Sequence, residues 1–233
     1  MDPGLRRGDG AIGGAYMIDI IIQGTAGKIH GVYSKGFLPS SPMAVIVPGA
    51  PEKGHHMNDR ITYAMFRAFA DIGFATLRFN YRGIGMSIGS RAGLEGDIMD
   101  TASVLDWIQN QNEEGGQIWI AGYDTGVWTT LQTLMRRPEI DGFAIVSPDI
   151  DTQDLSFLSS RPNKGMLIQG LSEPYSALEF GTHLAKVLKS KGNIDTESVR
   201  IKGNDAQYLT GLKLLYDNIK GYAKKETSEG TLL

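Results

Sequence analysis

From residue 18 onward the chain alternates short apolar runs with segments whose apolar residues recur at helical spacing, and glycine-rich breaks separate them. Residues 18–23 and 28–34 read as half-buried strands joined by Gly24-Thr25-Ala26-Gly27, an opening hairpin. Residues 43–47 are continuously apolar, as expected of a strand covered on both faces. Ile61, Ala64, Met65, Ala68, Phe69 and Ile72 share one helix face, and Gly73 ends that helix. A strand at 74–80 runs into the glycine-rich turn 81–89, and a second helix turns Ile98, Thr101, Leu105 and Ile108 inward. Residues 117–121 form a strand that breaks at Gly122-Tyr-Asp-Thr-Gly126 before a helix at 127–137. Strands at 143–146 and 166–168, a helix at 177–189, a strand at 197–201 and a helix at 209–224 complete the pattern.

This order predicts an α/β fold: a mostly parallel sheet of about eight strands with an N-terminal antiparallel hairpin and helices on both faces. One domain spans 17–225. The stretch 1–16, with Gly4, Gly8, Gly10, Gly13 and Gly14, reads as a flexible leader or tag, and 226–233 as a frayed tail.

Composition narrows the chemistry. The 233 residues hold 23 Lys+Arg, 26 Asp+Glu, four histidines and no cysteine, for a formal net charge of -3. Without cysteine there is no disulfide framework, thiol catalysis, iron–sulfur cluster or cysteine-based zinc site. The charge balance and the lack of a long basic run argue against nucleic acid as a partner. No run approaches the ~18 to 20 apolar residues of a membrane helix, and the start lacks the apolar core of a signal peptide. The expectation is a soluble, cytoplasmic protein.

A strand, Gly122-x-Asp124-x-Gly126 and a helix in mid-sheet have the geometry of a nucleophile elbow. Together with Asn80-Tyr-Arg-Gly-x-Gly-x-Ser87, Ser103-Val-Leu-Asp-Trp107 and Leu134-Met-Arg-Arg-Pro-Glu-Ile-Asp-Gly142, it makes the chain resemble the small, cap-less, dienelactone-hydrolase-like bacterial members of the α/β-hydrolase superfamily. The resemblance implies an α/β-hydrolase fold without a cap domain. It also implies a triad, which this chain fills unusually. Asp124 stands where relatives carry serine, Glu173 falls at the acid position, and Ala206 takes the place of the histidine. A carboxylate cannot be the hydroxyl that a histidine deprotonates, and every general-base step of the cycle needs that imidazole. All four histidines, His30, His55, His56 and His183, precede the loop where the family needs one.

The leading expectation is therefore a pseudohydrolase that binds a small molecule in the remnant cleft or a protein partner, with no cofactor and with self-association left open. The alternative is a hydrolase, either of esters or like the haloalkane dehalogenases and epoxide hydrolases of this fold, which use an elbow aspartate as nucleophile. Asp124 would then need a base recruited from His55 or His56, in the loop after the third strand. A third arrangement gathers Asp124, Glu173 and Asp205, with His55 or His56, around a divalent metal. The plainest reading of Asp124 is a cap on the helix that follows it. Likewise Arg82 and Arg78 read as members of structural ion pairs, Trp107, Trp119 and Trp128 as core or interface, His183 as a packing or surface residue, and His30 as remote from the elbow.

Overall fold

The computed structural model describes residues 17–111, 114–149 and 154–229. The expected leader and the last four residues of the expected tail lie outside them. The chain opens with β1 (Met17–Gly24) and β2 (Gly27–Ser34), paired antiparallel through their whole length. There follow β3 (Met43–Val47), α1 (Arg60–Ala70), β4 (Ala75–Phe79), α2 (Gly93–Gln109), β5 (Ile118–Tyr123), α3 (Gly126–Arg136) and β6 (Ile140–Val146). The fold closes with β7 (Lys164–Gly170), α4 (Tyr175–Gly192), β8 (Asp195–Ile201) and α5 (Leu212–Glu229). The eight strands form one sheet in the order β1-β2-β4-β3-β5-β6-β7-β8, parallel from β4 to β8.

Two apolar layers hold the sheet. On one face Ile61, Met65, Phe66 and Phe69 of α1 and Leu215 and Ile219 of α5 pack against the strands. On the other, Val104, Leu105 and Ile108 of α2, Val127, Leu131 and Leu134 of α3, and Leu184 and Leu188 of α4 do so. β3, β4 and β5 are buried at every residue; β3 is legible from this as an unbroken apolar run, whereas β4 buries Thr76 and Arg78 among its apolar positions. Between β6 and β7 the described residues form no helix, so no cap covers the carboxyl ends of the strands at that point. No helix of the described residues is long and apolar enough to cross a membrane.

Several boundaries differ from expectation where polar residues continue an element. β7 and β8 begin earlier than their apolar residues, because β8 is an edge strand with only Ile201 fully buried. α5 starts at Leu212 rather than 209, since Asn204 Oδ1 accepts both the backbone N–H (3.2 Å) and the hydroxyl (3.0 Å) of Thr210 and holds residues 204–210 in a turn. The same helix runs on to Glu229, through part of the expected tail, with Glu226 paired to Lys164 at 2.9 Å.

Arg82 is braced by Asp100, with both partners buried and Nη2–Oδ1 at 2.7 Å. Arg78 departs from its expected ion pair: its guanidinium lies against the rings of both Tyr63 and Phe66 and donates to the carbonyl of Met57 at 2.8 Å and to Asn58. Trp119 and Trp128 are core residues and Trp107 packs on the core. His183 is exposed on α4, while His30 is buried in the hairpin with Nε2 at 3.0 Å from Asp19.

Candidate active site

The elbow is a product of close approach. Between β5 and α3 Asp124 takes a left-handed backbone, φ 55°. A Cβ on Gly126 would stand 2.3 Å from the carbonyl oxygen of Pro48, and one on Gly122 would stand 2.3 Å from Thr130 Oγ1. Neither position tolerates a side chain, so the glycine spacing is what permits the turn.

Asp124 does not cap α3. The cap position is Thr125, without a side-chain hydrogen bond, and the N–H of Val127 goes to the main-chain oxygen of Asp124 at 3.2 Å. The left-handed backbone carries the carboxylate instead to the loop after β3. There Oδ2 accepts a long bond from the Ala50 N–H at 3.5 Å, and Oδ1 meets Lys53 Nζ at 3.1 Å. Lys53 sits on a 3₁₀ turn, Pro51–Lys53, and its ammonium also reaches Asp149 Oδ2 at 2.8 Å. Burial pulls the lysine pKa down, but the hydrogen bonds to Asp149 and Asp124 outweigh it and hold the ammonium above its ordinary value.

The two candidate histidines take different places. His55 Nδ1 lies 2.6 Å from Asp59 Oδ2, its ring packs edge-on to Tyr123, and its Nε2 stands 4.0 Å from Asp124 Oδ2. A Cβ on Gly49 would come 2.9 Å from the His55 ring, so glycine there lets the imidazole lie against the elbow. His56 is half exposed; its Nδ1 accepts the Asn58 N–H at 3.1 Å and its Nε2 lies 3.7 Å from Asp59.

Glu173 lies at the carboxyl end of β7 and is buried, 6% exposed. Its Oε1 accepts the Ser147 hydroxyl at 2.6 Å and the Gly170 N–H at 2.6 Å, and Tyr208 Oη is 2.9 Å from the same Ser147 Oγ. Burial pushes the Glu173 carboxyl above its ordinary value, against the pull of those hydrogen bonds. Ser147 (φ 42°) and Tyr208 (φ 50°) share with Asp124 the left-handed backbone that side chains rarely adopt. Ala206 is half-buried in the loop after β8, and its carbonyl accepts the Tyr123 hydroxyl at 3.1 Å. Burial, and after it the carboxylates of Asp124, Asp59, Glu173 and Asp205, raise the Tyr123 phenol.

The three carboxylates of the metal reading do not converge. Glu173 is turned onto Ser147 and Gly170, the exposed Asp205 accepts the Gln207 N–H at 2.9 Å, and among the described residues no group of three His, Asp or Glu side chains could hold an ion. Beside the elbow a cavity of about 190 Å³ opens, walled by Leu94 and Trp128, with Ala50 and Thr125 at the elbow side and Arg91 and Glu52 at its edge. Arg91 is held by Asp97 and by Glu52 (3.2 Å) and stacks on Tyr81.

Sequence reasoning missed Lys53, Asp59, Asp149, Ser147 and Tyr208. Lys53 is two residues from His55, and Ser147 follows directly on β6; the rule that open α/β sheets bind at the carboxyl ends of their strands pointed to both places.

Comparison with known proteins gives four findings. Residues 44–211 match the serine aminopeptidase S33 family of hydrolases. An uncharacterized protein of Rickettsia prowazekii (strain Madrid E) is 35% identical over 157 residues, which span 66% of this chain and 66% of that relative, just under two thirds of its length. The crystal structure of a protein of unknown function from Agrobacterium tumefaciens, described there as a candidate α/β hydrolase, superposes with a TM-score of 0.85 and 34% identity, covering 91% of this chain and 97% of that one. A lidless α/β serine hydrolase from Xanthomonas campestris shares the fold at a TM-score of 0.79 with 18% identity, over 91% of this chain and 95% of that one.

Proposed function

The chain belongs to the serine aminopeptidase S33 family of α/β hydrolases, and from that premise we propose a pseudohydrolase that keeps the scaffold and binds a small molecule beside the elbow without turning it over. The observation that carries this reading is the Asp124 carboxylate, tied to Lys53 and facing the Ala50 N–H. Acyl transfer needs a neutral hydroxyl that gives its proton to an imidazole, and N–H donors left open for the oxygen that gains charge. Here a standing anion occupies the nucleophile position. A second negative charge forming about 4 Å away would be opposed by about 1 kcal/mol in bulk water and about 4 kcal/mol at an effective dielectric of 20. Ala206 supplies no base, and Glu173 is engaged by Ser147 and Gly170. The apolar walls of the adjoining cavity, Leu94 and Trp128, favour a small, largely apolar ligand over a protein partner.

The test is turnover of p-nitrophenyl acetate and butyrate, labelling by a fluorophosphonate, and a covalent mass shift with 1-bromobutane or styrene oxide. The expected result is none of these above a heat-inactivated control. Turnover that disappears in Asp124→Ala would overturn the reading.

A second reading rests on His55. With Nδ1 held by Asp59 and Nε2 at 4.0 Å from Asp124, the imidazole stands about one water away from a carboxylate nucleophile. Asp124 would displace a leaving group from carbon to form an ester, and His55 would take a proton from the water that hydrolyses it. The signature of this reading is an ester-linked adduct of the alkyl group that accumulates in His55→Ala and clears in the unaltered protein.

A further inference from the structure

The face of β8 that looks toward α4 is left open. α4 sends Leu184 and Leu188 into the core, while Gly181, Thr182 and Ala185 on the helix and Thr196 and Ser198 on the strand are too short to fill the space between them. Two adjoining hollows of about 540 and 410 Å³ result, sharing Thr182, Lys186 and Arg200. Both are larger than the cavity beside the elbow, and neither touches Asp124.

Charge gives the groove its character. Elsewhere Arg67, Arg82, Arg91 and Arg137 each meet a carboxylate. Among the described residues no ion pair involves Lys186, Lys189 or Arg200, and all three border the groove. Arg200 is fixed across it, with Nη2 donating to Thr182 Oγ1 at 2.8 Å and to the Leu178 carbonyl at 3.4 Å. The carboxylates on its border are Asp195 and Glu179. The floor is apolar, formed by Leu167 and Ala185, and beside it Thr196 Oγ1 is buried without a hydrogen-bond partner. An unpaired cationic rim over an apolar floor, in a chain of net charge -3, is a local exception to the protein's acidic balance.

We propose that this groove binds an amphipathic organic anion, with its carboxylate or phosphate head on Lys186, Lys189 and Arg200 and its apolar body on Leu167 and Ala185. The chemistry requires both halves. A head group alone finds a solvated rim where charge pairs are weak, and an apolar body alone leaves the cations unpaired.

Octyl phosphate below its micelle concentration tests this by calorimetry and by amide NMR shifts, with octanol and inorganic phosphate as the half-ligands. The expected result is saturable one-to-one binding of octyl phosphate, at least tenfold tighter than either half, with shifts centred on Thr182, Lys186, Thr196 and Ser198. Affinity should fall at least tenfold in the double variant Lys186→Glu with Lys189→Glu. It should fall similarly in Ala185→Trp, which fills the groove. The charge-reversed side chains are exposed, so that variant should keep its circular dichroism and melting temperature. Equal binding of octanol, unchanged affinity in the folded charge-reversed variant, shifts confined to the Asp124–Trp128 region, or attachment to phosphatidylglycerol vesicles without binding of monomeric octyl phosphate would each overturn the proposal.

Discussion

Lys53 Nζ lies 3.1 Å from Asp124 Oδ1, so the cation nearest the elbow belongs to the protein itself. The same ammonium holds Asp149 at 2.8 Å and stops two carboxylates from facing each other unneutralised. Lys53 is 43% exposed, which limits the stabilisation to the ~0–1 kcal/mol of surface pairs. Lys53→Met should therefore cost less than about 1 kcal/mol in urea unfolding at neutral pH. Because the folded protein holds this ammonium above its ordinary 10.5, the contribution is present below that pH and is lost as pH rises through the raised value. The difference between variant and unaltered protein should thus shrink in alkali; a difference that grows there would refute the assignment.

Glu173 shifts in the same direction for a different reason. Burial raises its carboxyl above the ordinary 4.5, so the folded state binds the proton more tightly than the unfolded chain. Stability from this group is highest below that pH and declines as pH rises through the raised value. Glu173→Gln removes the titration while keeping the shape. Between about pH 4 and pH 8 the unaltered protein should lose stability relative to the variant, measured as the change in midpoint difference. Parallel pH curves would show that Glu173 is not the group responsible.

The buried pair Arg82–Asp100 should be the most sensitive electrostatic feature outside the elbow. Asp100 is 1% exposed and accepts from Arg82 Nε, Nη2 and backbone N–H. Asp100→Ala leaves a guanidinium buried without a partner, and a loss of about 3–5 kcal/mol is expected. A calorimetric loss under 1 kcal/mol would mean that solvent or a second carboxylate reaches Arg82.

If Asp124 and Ala206 are what separate this chain from a working serine hydrolase, restoring both should return chemistry that neither restores alone. Asp124→Ser with Ala206→His is expected to hydrolyse p-nitrophenyl butyrate above the single variants and to take a fluorophosphonate label. An inert double variant with an unchanged melting temperature would place the block elsewhere, with the Ser147–Glu173 bond as the first suspect.

The sheet and the elbow were legible because each leaves a local mark: apolar runs such as β3, and a glycine two residues to either side of Asp124 where a Cβ would collide. The positions of Glu173 and Ala206 came from the family resemblance and fall in the loops after β7 and β8 as that resemblance implies. What surrounds them left no such mark. Lys53 and Asp59 are single charged residues on the loop after β3 and Asp149 is one on the loop after β6, and the two loops meet only when β3 and β6 flank β5. The direction of the Asp124 carboxylate was likewise hidden, since a cap and an elbow share the same residue type and differ in one backbone angle, φ 55°.

The position of β3 bears on how the chain is made. β3 lies between β4 and β5 although both follow it in sequence, so its second edge stays unpaired until roughly 70 further residues exist. At a synthesis rate of about 5–20 residues per second that is an interval of several seconds, during which Met43–Val47 is an apolar strand with one neighbour at most. The centre of the sheet is thus the stretch most exposed to misassembly on the ribosome, whatever the finished protein binds.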